Sequence, residues 1–204
     1  MVPFRYDTPN GNTGLYSYWD DAYKGSGCNT CDGAALSGSI GDLTDGVIAI
    51  QNWSVVEAPA GPGPYVGWNN VNPTITFFFN SSVQVDSVTV YVDDGGSGGV
   101  AAPSSVVIAG RSYPIVNPPG SAPFAFTASE VGFTGTVLPV TFNAGSGASW
   151  IFVSEVTFLA TVPELVTWQM LLAGGGVLGG VALRRRRDTR DPRRRASRLL
   201  CGPS

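Results

Sequence analysis

The sequence predicts an all-β domain, an antiparallel sandwich or barrel, followed by a single apolar segment near the C-terminus. Three observations predict it. Before position 162 the apolar residues fall in short runs or at alternate positions, the period of a half-buried strand, and no stretch shows the 3.6-residue period of a helix. Clusters of Gly, Pro, Asn and Asp separate these runs, drawn from 27 Gly and 15 Pro in 204 residues. Residues 165–183 then form an uninterrupted run of 19 positions without a charge.

Taken in order, strands are expected at 47–53, 65–69, 74–79, 88–92, 105–109, 112–116, 124–126, 135–142 and 150–159. Within 74–79, Ile75, Phe77 and Phe79 share one face. Val88, Val90 and Val92 alternate with Thr89 and Tyr91, until Asp93-Asp94-Gly95-Gly96-Ser97-Gly98-Gly99 imposes a loop. The last strand is expected to set Trp150, Phe152, Val156 and Phe158 on one face. Many short strands with turn signals between them are the pattern of a sandwich or barrel.

Composition excludes several chemistries. The chain has no His, so it holds no Ser-His-Asp or Cys-His nucleophile, no His-ligated metal and no His proton shuttle. Charge is divided unevenly: residues 1–161 carry three basic residues against twelve acidic ones, whereas 162–204 carry nine Arg against three acidic residues. An acidic body repels a phosphate backbone, so it is expected to bind no nucleic acid.

As a helix, 165–183 spans roughly 28 Å, close to the hydrocarbon thickness of a bilayer. Arg184, Arg185, Arg186 and Arg187 follow at once and would hold that end on the cytoplasmic side, with the body outside. A glycine-rich core strand or linker is the alternative, since five glycines (174, 175, 176, 179 and 180) weaken a helix. Pro163 ends the last strand's ladder and leaves Glu164 in an exposed joint. The order Val162-Pro163-Glu164, apolar run, Arg cluster resembles the PEP-CTERM sorting signal of Gram-negative bacteria. That resemblance implies an exosortase partner, passage through the inner membrane, and a final place at the cell surface or in the extracellular matrix; a plain membrane anchor is the alternative. The first residues, Met1-Val2-Pro3-Phe4-Arg5-Tyr6-Asp7, lack the apolar stretch of a secretory signal, so the true start is expected upstream. The reading divides the chain into an N-terminal segment 1–14, a β domain 15–161, a sorting segment 162–187 and a basic tail 188–204.

Within the β domain, Leu43-Thr44-Asp45-Gly46, Trp53, Gly67-Trp68, Pro73-Thr74-Ile75-Thr76-Phe77, Val85–Val92 and Trp150-Ile151-Phe152-Val153-Ser154-Glu155-Val156 occur in an order similar to the discoidin, or F5/8 type C, pattern. The resemblance implies a jelly-roll antiparallel β-sandwich of the galactose-binding-like class. Its loops at one end would bind carbohydrate or lipid headgroups, and a structural Ca²⁺ is common in the family. Sugar sites combine an aromatic platform with a few hydrogen-bonding groups. Tyr18, Trp19, Asp20 and Asp21, lying before the first clear strand, together with Tyr65, are the expected ligand-binding residues. Trp53 and Trp68 serve equally well as core.

Calcium needs clustered oxygen ligands. Asp42 and Asp45 flank the loop into the first long run, and the resemblance places Glu155 beside them; the alternative is that Asp45-Gly46 only makes a turn. Asp93-Asp94-Gly95 is a weaker second cluster. Cys28-Asn29-Thr30-Cys31 lacks the βαβ context of a redox motif. In an exported domain it reads as a small disulfide, against the alternative of two free thiols. The functional expectation is an exported binding protein for carbohydrate or exopolysaccharide, without catalysis. A structural matrix protein is the alternative, and a carboxylate-based glycosidase a more distant one.

Overall fold

A computed structural model describes residues 3–57 and 63–162 of the chain. The expected membrane helix at 165–183, the sorting residues Pro163, Glu164, Arg184, Arg185, Arg186 and Arg187, and the basic tail lie outside the described residues. Among the described residues no helix is long and apolar enough to cross a membrane.

The described residues form eight strands: β1 (Arg5–Pro9), β2 (Ala35–Ser39), β3 (Val66–Asn69), β4 (Thr74–Val92), β5 (Ser105–Ile108), β6 (Arg111–Pro114), β7 (Phe124–Asn143) and β8 (Trp150–Thr161). Among the described residues, helix is confined to a 3₁₀ turn at Asp42–Thr44 and one turn, α1 (Trp53–Val56). All strand pairs are antiparallel.

Two long strands carry the architecture. β4 and β7 pair along their whole length, but the register skips between Phe78 and Val83, where 79–82 turn a corner. On one side of the corner the order is β2-β1-β4-β7-β5-β6, with Tyr6 opposite Phe77. On the other, β8 joins β4, with Thr161 opposite Gln84, and β3 joins β8. The two halves of this folded sheet face each other. Phe77 from the first half meets Phe158 from the second with ring centroids 4.8 Å apart, inside a cluster that includes Ile75, Val90, Val140 and Val156. Each large side chain so buried contributes roughly 1.5–3 kcal/mol.

Several sequence expectations change here. The runs at 74–79 and 88–92 are one strand, and so are 124–126 and 135–142, because their polar interruptions form bends in a continuous ladder. Segment 47–53 is not a strand. Ala49 points inward while Val47, Ile48 and Ile50 are exposed, and Trp53 begins α1. The sheet also takes in part of the N-terminal segment, since β1 lies within residues 1–14 and pairs with β4. Between β5 and β6, Ala109 and Gly110 both have positive φ (50° and 84°), the paired left-handed geometry of a tight two-residue hairpin.

Candidate functional site

The site begins with a defect in β8. Its register against β4 skips between Tyr91, which faces Glu155, and Val92, which faces Val153, so Ser154 is extra. A bulge of this kind re-aims the side chains on either side of it. Past the bulge, Val156 and Phe158 face the main core; before it, Ile151 and Val153 do, and Trp150 and Phe152 are turned to the opposite side. The expectation that Trp150, Phe152, Val156 and Phe158 share a face therefore fails at Ser154. An aromatic cluster separate from the main core is the result.

Phe152 is the centre of that cluster. Trp150 and Trp53 lie nearly parallel to it, at 5.6 Å and 6.0 Å with interplanar angles of 7° and 9°. Tyr18 stands edge-on to Phe152 at 4.6 Å and to Trp150 at 5.2 Å. Such offset and edge-to-face pairs fit the aromatic quadrupole and make a stiff assembly. Gly67 in β3 allows it: a Cβ there would lie 2.1 Å from Phe152 Cε1 and 2.9 Å from Tyr18 Cβ.

Local hydrogen bonds hold each part. The Asp93 carboxylate accepts from the Trp53 backbone N–H (2.7 Å) and from Asn52 Nδ2 (2.7 Å), securing the start of α1 from the far end of β4. Asp94 accepts from the Ala102 N–H and from Asn117 Nδ2, and so ties down the glycine loop after β4. Tyr18 is strapped to β3 through Gly67 N–H to its carbonyl (2.9 Å).

These rings wall a cleft of about 230 Å³, with Tyr18, Trp53, Trp150 and Phe152 as its aromatic surface and Leu15, Gly14 and Gly98 at its margin. Leu15 is 73% exposed. The indole Nε1–H of Trp53, buried beside Gly95, has no hydrogen-bond partner among the described residues. A shallower groove of about 520 Å³ runs along β1 and β2, lined by Asp7, Thr8, Ser37, Thr74 and Thr76 among others, and has no aromatic wall.

Of the ligand-binding residues expected from sequence, only Tyr18 lines the cleft, and it does so from a buried position (2% exposed). Trp19 is half-buried and donates its Nε1–H to Asp32. Asp20 is fully buried: its carboxylate accepts from the Tyr6 hydroxyl and from the Asp42 N–H (2.8 Å), which leaves it no surface for a ligand. Asp21 is half-buried, and burial raises its carboxyl above the ordinary range. Tyr65 packs against Phe152 and donates to the Gln51 carbonyl, so it supports the cluster from behind. Trp68 belongs to the main core. Trp150 and Phe152 as cleft residues, and Asp32, were not legible as site residues. The one signal for the first two is that Trp150 to Val153 is apolar without alternation, the mark of a strand covered on both faces.

The carboxylates proposed for calcium are brought near one another, but each is engaged by the protein. Glu155, from β8, accepts from the Gly46 N–H (2.9 Å); Asp45 accepts from the Val47 N–H; Asp42 accepts from the Ala22 N–H. Among the described residues no three His, Cys, Asp or Glu side chains are arranged to hold a metal ion. Nor do Asp93 and Asp94 make a cage, since they serve the two separate networks above. Each of the three carboxylates thus gives one oxygen to a backbone N–H. Buried carboxyls here are held toward the neutral form. Burial pushes Asp42 up to about 7, helped by the charge of Asp20, and burial pushes Asp20 to about 6 against the Tyr6 hydrogen bond. Glu155 and Glu57 are likewise pushed to about 7 by burial, opposed by the N–H groups of Gly46 and Tyr65. Asp32 is held below the ordinary range by the hydrogen bonds from Trp19 and Thr13. Cys28 and Cys31 are joined by a disulfide.

No protein-family model matches the sequence, and none of the curated proteins matches it. Among solved structures, similarity is found to the CBM32 of AlyQ in complex with 4,5-unsaturated mannuronic acid, at 19% identity and TM-score 0.34, covering 47% of this chain and 76% of that one. A structure of the Streptococcus pneumoniae beta-galactosidase BgaA matches at 18% identity and TM-score 0.41, covering 59% of this chain and 84% of that one. A truncated AlyQ with CBM32 and alginate lyase domains matches at 15% identity and TM-score 0.35, covering 59% of this chain and 29% of that one.

Proposed function

We propose that this chain is a non-catalytic carbohydrate-binding module, with its sugar site in the cleft walled by Tyr18, Trp53, Trp150 and Phe152. The observation that carries the reading is the cleft itself: a pocket of about 230 Å³ lined by four aromatic rings, each no more than 9% exposed, separate from the main core. The apolar C–H groups of a pyranose pack against such a wall, and a volume of this size takes one sugar ring rather than a length of chain. The backbone around Gly98 supplies the polar groups at its edge. The buried carboxyls held toward the neutral form do not line the cleft and act in the fold.

The finer parts of the reading are proposed with it. The folded sheet is a jelly-roll sandwich. The protein works outside the cell, where the Cys28–Cys31 disulfide persists. The segment 162–187 directs export through the inner membrane to an exosortase and on to the surface or matrix. The ligand is then an extracellular polysaccharide, bound without a metal.

A panel of neutral and uronic-acid oligosaccharides titrated into the full chain, with and without EDTA, tests the reading. Wild type should bind at least one member equally well under both conditions, and Trp150→Ala should lose that binding while Trp68→Phe keeps it. Equal binding by wild type and Trp150→Ala would remove the cleft from the account, and release of reducing sugar would make the protein an enzyme.

A further inference from the structure

The rim of the cleft is held from outside by hydrogen bonds to the loop that bears Asp32. Asp32 Oδ1 accepts three of them: from the Thr13 N–H (2.8 Å), the Thr13 hydroxyl (2.8 Å) and the Trp19 Nε1–H (2.7 Å). Thr13 and Ser17 bridge to each other, so 14–16 form a tight tip, closed by Gly14 N–H to the Tyr16 carbonyl. This tip is one wall of the cleft. Gly14 lies against the rings of Trp150 and Tyr18, Leu15 overhangs the opening, and Tyr16 packs on Tyr18 and Trp53 at 6.3 Å and 6.4 Å. Asp32 thus holds the chain just before the tip and just after it.

The loop bearing Asp32 is itself fixed. Cys28 and Cys31 close it immediately upstream, and Asn10 Nδ2 donates to the carbonyls of both cysteines (3.2 Å each). The other side of the Asn10 amide accepts from the Gly11 and Asp20 N–H groups, at either end of the rim segment. Disulfide, Asn10 and Asp32 therefore form one frame around residues 10–20. Charge-assisted hydrogen bonds of this kind are stronger than neutral ones, and exposed tips have little else to order them.

We propose that Asp32 is a positioning residue of the cleft, and that the Cys28–Cys31 loop presents it. Together they fix the 13–17 tip in the conformation that the ligand meets. The inference rests on the sugar-site reading and gives Trp19 a role: its indole is part of the grip, not a platform for the ligand.

The test uses the full chain as wild type, Asp32→Ala, Asp32→Asn and the double variant Cys28→Ser/Cys31→Ser. Amide hydrogen exchange and the oligosaccharide panel are the two readouts. In Asp32→Ala, exchange at 13–16 should accelerate by more than about tenfold while the amides of β4 are unchanged, and affinity should fall by about tenfold. Asp32→Asn keeps an acceptor oxygen and should recover part of both effects, which loss of bulk structure would not. The double cysteine variant should shift both readouts in the same direction as Asp32→Ala. Unchanged exchange at 13–16 in Asp32→Ala overturns the proposal, as does faster exchange with wild-type affinity. If no oligosaccharide binds wild type, the sugar reading fails and exchange at 13–16 alone decides whether Asp32 holds the rim.

Discussion

Replacing Glu155 by Gln should make the protein less sensitive to alkaline pH, and the size of the change follows from the site. Glu155 is 4% exposed, its carboxyl is pushed up to about 7 mainly by burial, and its Oε2 accepts from the Gly46 N–H. Among the described residues the one ion pair joins Arg5 and Asp7, so no cation of theirs offsets the charge of Glu155. A folded-state value raised from 4.5 to about 7 means that the folded protein binds this proton more tightly than the unfolded chain does. The associated stability is fully present below about pH 4.5 and is lost as pH rises through 7, to a total of about 3 kcal/mol. Gln preserves the shape and the acceptor for Gly46 but has nothing to ionise. Urea and thermal denaturation at pH 4, 5.5, 7 and 8.5 should therefore show the variant gaining on wild type by about 3 kcal/mol between the extremes, roughly 6–12 °C in Tm for a domain of this size. A wild type more stable at pH 8.5 than at pH 5.5, with no gain for the variant, would refute the reasoning and show that the ionised carboxylate has a favourable partner.

Other outcomes follow from the same geometry. Asp20, Asp42 and Glu57 carry shifts of the same sign, so even Glu155→Gln should lose further stability between pH 5 and pH 8, as read in the same titration. Phe77→Ala empties the contact between the two halves of the sheet and should cost about 3–5 kcal/mol in urea unfolding. Gly67→Ala drives a methyl into the Phe152 ring and should cost about 1–3 kcal/mol, with a visible change in the near-ultraviolet circular dichroism of the aromatic cluster. Millimolar Ca²⁺ or EDTA should move Tm by less than about 1 °C; a clear rise with Ca²⁺ would mean that Asp42, Asp45 and Glu155 open to a metal despite their N–H partners.

Strands whose apolar residues alternate without interruption were legible from sequence, as in Ile75-Thr76-Phe77 and Val88-Thr89-Val90. Two strands were not. β1 (Arg-Tyr-Asp-Thr-Pro) and β2 (Ala-Leu-Ser-Gly-Ser) carry charge, Pro or small residues because only one face of each meets the core, through Tyr6 and Leu36. Segment 47–53 misled in the opposite direction: its apolar side chains suit a strand, yet its backbone is drawn to Ser154 and Glu155 through Ala49 and Gly46, and no neighbouring strand pairs with it. At the site, side-chain type was informative and position was not. Tyr18 and Trp53 came under consideration as aromatics, but the Ser154 bulge that turns Trp150 and Phe152 toward them depends on pairing with Val92, 62 residues before Ser154 in the chain. Asp32 had no signal, because its partners Thr13 and Trp19 come to it only through the fold.

The direction of β8 has a practical meaning for how the domain can be displayed. Trp150 stands at the cleft, and Thr161, about 35 Å further along the strand, stands opposite Gln84 beside the corner of β4. Arg5, opposite Phe78, flanks the same corner, so the backbone both arrives and departs at the pole remote from the cleft. Spliced into a longer polypeptide at either end, or coupled to a bead through either, the domain presents its aromatic face outward. A tether there does not shade the opening, and several copies strung in series would each keep the cleft free.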